Sequence, residues 1–116
     1  MKLALTILLV LLVGCRGDSS TGQAYAYTPP LLEKARAVIA AQYPEAAVYH
    51  TVYTDNWPHA YAVFWNDTIW LTEHWRNEAT VDLRHAACII VHEHGHAQGM
   101  DEPTASAYGA ECMRRV

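Results

Sequence analysis

Basic residues are few. Eight Lys and Arg stand against twelve Asp and Glu in 116 residues, a formal charge of −4. That argues against a nucleic-acid partner, whose affinity rests mainly on Lys and Arg meeting phosphates. Cysteine is also scarce, with three residues, too few for a disulfide scaffold. No apolar run is long enough to span a bilayer. Leu3–Val13 rises only about 16 Å as a helix, and a span needs about 20 residues. There is no internal repeat and no low-complexity stretch. What is present fits one small domain: 52% hydrophobic residues, 17% charged and seven histidines. Three of those histidines fall within residues 92–96.

The first residues read as an address. A short positive start (Met1, Lys2) precedes the apolar run, which has the length of a signal-peptide core. Its end, Leu12-Val13-Gly14-Cys15, resembles a bacterial lipobox. The alternative is an ordinary signal peptide with an incidental Cys. The resemblance implies a signal over 1–14, lipidation of Cys15, and attachment to the cell envelope through that lipid. With Arg16 rather than Asp next, it implies the outer membrane in a Gram-negative host. Residues 15–28 are small and polar and read as a flexible tether. The domain is expected over 29–116, as a monomer.

Thr28 before Pro29-Pro30 reads as a helix start, with the hydroxyl as N-cap. Apolar residues at 31, 32, 35, 38 and 39 keep helical spacing, and Pro44 should end the helix near Tyr43. Residues 47–54, 60–65 and 68–72 read as strands. Asn66-Asp67 reads as a two-residue hairpin turn. A loop is expected over 75–80. A long helix follows from Val81 or Asp82 to Gln98, stopped by Gly99. A last helix starts at Asp101-Glu102-Pro103 and runs to about Arg114. The fold expected is α+β: an N-terminal helix, a three-stranded β-meander, and two C-terminal helices.

Residues 92–96 read His-Glu-His-Gly-His, which fits H-E-x-x-H. Positions i and i+4 share a helical face, so His92 and His96 can aim two imidazoles at one ion. Glu93 is placed to take a proton from a water at that ion. The bland alternative is a helix with surface histidines and no metal. Against it, Cys88-Ile89-Ile90-Val91 leads into the motif and implies a buried helix.

With this motif after strands and before a last helix, the chain resembles the zincin metallopeptidases, and their small minigluzincin members in particular. The resemblance covers residues 29–114. It implies one zinc ion, a peptide or protein substrate, and general-base catalysis by Glu93. It also implies a substrate lying along the last strand, 68–72, as the edge of the cleft. Glu102 stands six residues after His96 with Gly99 between, similar to the third-ligand offset of metzincins. Glu102-Pro103-Thr104-Ala105-Ser106 also resembles the gluzincin E-x-x-A-D, with Ser106 in place of Asp. Both comparisons point to Glu102 as third ligand, with Asp101 as rival. No Met-turn follows, since Met113 falls in the last helix.

If the last two helices form a hairpin pivoting near residue 100, Cys88 and Cys112 are equidistant from the pivot. Cys88, His92 and His96 make one stripe; Glu102, Ala105, Gly109 and Cys112 make the facing one. The pair is expected as a disulfide, with two free buried thiols as the alternative. Cys88 is about 12 Å along the axis from His96, beyond reach of the same ion. His85 is also too far. His94 points away from the His92/His96 face and reads as a core histidine. Tyr108 is a candidate oxyanion donor, and His74 a candidate cleft residue. The function expected is a zinc-dependent peptidase at the cell envelope. The alternatives are a zincin-like lipoprotein that binds zinc or a protein partner without turnover, and a structural envelope lipoprotein.

Overall fold

The computed structural model describes residues 28–54, 60–76 and 81–116. The expected signal over 1–14, Cys15, nearly all of the tether over 15–28, and the turn at 55–58 lie outside the described residues. Among the described residues the fold is α+β, with four helices and a three-stranded sheet. None of those helices is long and apolar enough to cross a membrane.

Helix α1 spans Pro30–Ile39 and buries Leu31, Leu32, Ala35 and Ile39, one face at helical spacing. Its N-cap is Pro29, not Thr28, and no side chain caps it. The extended φ and ψ that Pro29 adopts end the helix without a hydroxyl, and its carbonyl accepts from Leu32 N at 3.0 Å. The helix closes at Ile39, four residues before the expected stop. Pro44 forces Tyr43 out of helical geometry and opens a short second helix, α2 (Pro44–Ala47). That helix takes the first residue expected in the strand 47–54. Strand β1 is therefore only Thr51–Tyr53.

Strands β2 (Ala62–Trp65) and β3 (Thr68–Leu71) form an antiparallel hairpin. Its turn is Asn66-Asp67, at φ 54 and 56, a left-handed pair that Asn and Asp tolerate. The expected meander is corrected. The order is β1-β3-β2, and β1 runs parallel to β3 with Thr51 opposite Ile69 and Tyr53 opposite Leu71. The physical reason lies in β3. All four of its residues are buried, so it suits the centre of the sheet, with a neighbour on each side. The expected strand 68–72 is thus the middle strand, and β2 is an edge. A 3-10 turn over Glu73–Arg76 replaces the start of the loop expected from residue 75. Trp75, 1% exposed, fills the space beneath it, and its indole N–H donates to the Tyr61 carbonyl at 2.9 Å.

Helix α3 spans Leu83–Ala97, with Asp82 as N-cap accepting from Arg84 N at 3.2 Å. Gly99 then takes φ +95, a conformation that L side chains avoid, and turns the chain back. Helix α4 spans Glu102–Arg115, capped by the Asp101 carboxylate accepting from Thr104 N at 3.0 Å. Cys88 on α3 and Cys112 on α4 are joined by a disulfide, with Cα atoms 5.6 Å apart. Gly109 permits the close approach: a Cβ there would sit 3.3 Å from His92 Cβ and 3.4 Å from the Cys88 carbonyl. The main apolar core lies between α1, the sheet and α3, around Ile39, Ile69, Leu71, Ile90 and Val91.

Candidate metal centre

The site sits where α3 ends, α4 begins and β2 passes. His92 and His96 are one turn apart on α3, and their ring centroids are 5.0 Å apart at 74°. Glu93 is 8% exposed beside them. Together His92, Glu93 and His96 form a group that can hold a metal ion, with potential ligand atoms all within 4.8 Å of one another.

Glu102, the first residue of α4, faces the same point. Its Oε1 lies 2.9 Å from His96 Nε2 and 3.4 Å from His92 Nε2. Its other oxygen, Oε2, accepts from Ser106 Oγ at 3.2 Å. Bonding to His96 holds the Glu102 carboxyl below the usual carboxylate range, with smaller help from His92 and Ser106.

The tautomer of His96 follows from its other nitrogen. Nδ1 lies 3.0 Å from the Met100 carbonyl oxygen. A carbonyl only accepts, so Nδ1 carries the proton and donates. A neutral His96 then presents a lone pair at Nε2, aimed at a carboxylate oxygen that also holds only lone pairs. The 2.9 Å contact is therefore either a hydrogen bond from a doubly protonated His96, the form that lowers the Glu102 carboxyl, or two acceptors that need a cation between them. The turn makes this possible, because Met100 N bonds the Gly95 carbonyl at 3.0 Å and so fixes the peptide that carries the acceptor.

Glu93 has a different environment. Burial pushes its carboxyl up to about 7, and the Glu102 charge adds to this; His96 and a hydrogen bond from the Phe64 backbone N–H act the other way. The Phe64 contact fits the sheet. In a two-residue hairpin the residues flanking the turn exchange bonds, so Val63 and Trp65 face β3. The main-chain groups of Ala62 and Phe64 then face outward, towards α3. A cleft of about 590 Å³ lies there, lined by Ala62–Phe64, His92, Glu93, His96 and Glu102. A second, more apolar groove of about 410 Å³ continues from Ala62, His92 and Glu93 between α3 and α4. Tyr61, His85, Ile89 and Met113 form its farther wall.

The structure brings His92, His96, Glu93 and Glu102 together and places the other candidates elsewhere. Asp101 is occupied as the α4 cap. Tyr108 is not in either concavity; its ring packs edge-on against Tyr43 at 5.7 Å. Its position on α4 turns it towards Gly95. His74 packs on Tyr61 at 4.7 Å, a residue of the second groove, and does not itself line either concavity. His85 lines the groove two turns from His92. His94 is 6% exposed, against Tyr49 at 5.2 Å, and its Nδ1 has no hydrogen-bond partner among the described residues. The groups that residue reading missed are mostly backbone: the Met100 carbonyl and the Phe64 N–H. No side-chain pattern marks them. Tyr61 was missed because its strand position gave no face until the strand order was known.

Comparison with protein-family models, with curated proteins and with solved structures finds no match to this chain.

Proposed function

We propose that the protein is a zinc-dependent peptidase of the zincin kind, with His92, His96 and Glu102 holding the ion and Glu93 as general base. One observation carries this reading: the Glu102 oxygen set against two imidazole nitrogens at 2.9 and 3.4 Å, one of them with its proton committed elsewhere. A tetrahedral ion with bonds of about 2.1 Å would separate its ligand atoms by about 3.4 Å. The His92 spacing of 3.4 Å matches that edge, the His96 spacing of 2.9 Å would have to open by about half an ångström, and two imidazoles with a carboxylate are a donor set that suits zinc. When bound, zinc supplies a Lewis acid that makes a neutral-pH nucleophile of water and polarises a carbonyl.

Glu93 is adjacent to both histidines, and burial raises its proton affinity above that of an ordinary carboxylate. With its proton affinity raised by burial in the metal-free chain, the Glu93 carboxylate would take a proton from the attacking water and return it to the leaving amine. Its bond from Phe64 N–H holds it at the edge of β2. The outward main-chain groups of Ala62 and Phe64 are then where an extended peptide adds to the sheet. The edge strand, not the central β3, is the substrate's strand in this reading. Lipidation at Cys15 would place the domain at the cell envelope.

A second reading, binding of zinc or a protein partner without turnover, is favoured by one observation. Strand β2 is four residues long, and one of its outward N–H groups is already used by Glu93. Zinc content and peptidase activity of the wild type and of Glu93→Gln separate the two. A peptidase gives one zinc per chain in both and turnover only in the wild type. Zinc in both without turnover supports the second reading.

A further inference from the structure

Glu102 is poorly restrained for a ligand. Its side chain is 68% exposed and extends from the first turn of α4, where no core packing holds it. A long carboxylate so placed loses rotamer entropy whenever it ligates, and it can offer one oxygen or both. Among the described residues three side chains meet it. His96 at 2.9 Å and His92 at 3.4 Å face Oε1, and Ser106 alone engages Oε2, donating at 3.2 Å. Ser106 is one turn further along α4, at i+4, so its hydroxyl is fixed by the helix itself rather than by a flexible arm. It also lines the groove beside His92 and Gly109, which places it between Glu102 and the closest approach of the two helices.

We propose that Ser106 is a positioning residue for the metal: its hydroxyl engages Glu102 Oε2 and so presents Oε1 alone to the two imidazoles. This rests on the zinc reading above. The bond does two things. It reduces the freedom lost on metal binding, and it occupies the oxygen that would otherwise make the carboxylate bidentate. Without it, Oε2 turns to water or towards the ion, and a four-coordinate site gains a fifth donor. Threonine keeps the hydroxyl at the same atom; alanine removes it with little other change on an exposed helical face.

The test uses the full chain as wild type, Ser106→Ala and Ser106→Thr. Zinc affinity is read by competition with a chromophoric chelator, coordination by the visible spectrum of the cobalt-substituted protein, and folding by melting of the metal-free forms. Ser106→Ala should bind zinc about tenfold more weakly, the lower end for loss of a group that supports a ligand. Its cobalt bands should lose intensity, as expected when a tetrahedral site becomes five-coordinate, while the metal-free melting point stays with the wild type. Ser106→Thr should restore both affinity and spectrum. Equal zinc affinity and equal cobalt spectra in Ser106→Ala and wild type would overturn the positioning role while leaving the zinc reading intact. So would a Ser106→Thr variant as weak as Ser106→Ala. A wild type that binds neither metal would overturn the zinc reading, and this inference with it.

Discussion

The α3–α4 hairpin and the sheet border the same cleft, but they are held in different ways. The hairpin is local and doubly fixed. A turn through Gly99 sets its register, and the Cys88–Cys112 bridge closes the open end. Every candidate ligand lies on it, so one register sets all the ligand distances. The sheet is short and non-local. Its parallel pair joins residues 51–53 to 69–71, and its outer edge meets α3 through backbone groups. The difference teaches a division of labour. The hairpin brings the candidate ligands together by itself, whereas the sheet supplies the backbone partner of Glu93 and, in the function proposed, the edge for a substrate.

Removing the bridge is the strongest way to break this comparison. Cys88→Ser with Cys112→Ser should lower stability by about 3 kcal/mol, the value for a loop of 24 residues. Zinc affinity should fall with it, because Glu102 then moves relative to His92 and His96. Denaturant unfolding and chelator competition on the double variant check both. A stability loss with zinc affinity unchanged would show that the Gly99 turn alone sets the register.

A sheet lesion should behave otherwise. Asn66→Val puts a β-branched residue at φ 54 and should cost about 1–2 kcal/mol. Zinc affinity of the folded protein should stay at the wild-type value. Loss of zinc affinity in this variant would mean that the sheet contributes to the ion geometry after all.

The smallest effect lies where the two regions touch. His94 on α3 packs on Tyr49, and burial lowers its proton affinity, with the Glu45 charge opposing. The unfolded chain therefore binds the extra proton first, and stability falls as pH drops below the ordinary histidine value of about 6.5. His94→Leu should remove that acid loss and leave zinc binding unchanged. Melting of the metal-free proteins at pH 7.5 and pH 5.5 reads the difference. A steeper acid loss in His94→Leu would contradict the burial argument.

The two regions were also unequally legible. The hairpin is written in local signals: histidines at i and i+4, Gly99 where φ is positive, Asp101 before a Pro-containing first turn. Counting outward from the turn puts Cys88 opposite Cys112. The sheet's strand identities are local too, and Asn66-Asp67 marks the β2–β3 turn. Strand order is not local. Thr51-Val52-Tyr53 carries no mark that it pairs parallel with β3, and a meander would bury its side chains equally well. Pro44 was legible as a helix stop but not as the start of α2, since Glu45-Ala46-Ala47 is too short to show a period. At the site, side chains at fixed spacing could be read. The Met100 carbonyl and Phe64 N–H could not, because every residue has such groups and only the fold aims them.

The most direct test is zinc stoichiometry and affinity in Glu102→Ala, Asp101→Ala and Glu93→Gln beside the wild type. The account predicts one tightly held zinc in the wild type, in Asp101→Ala and in Glu93→Gln, and a sharp loss in Glu102→Ala. Full affinity in Glu102→Ala, or a loss in Glu93→Gln as deep as in His96→Ala, would contradict the division between ligands and base on which the account rests.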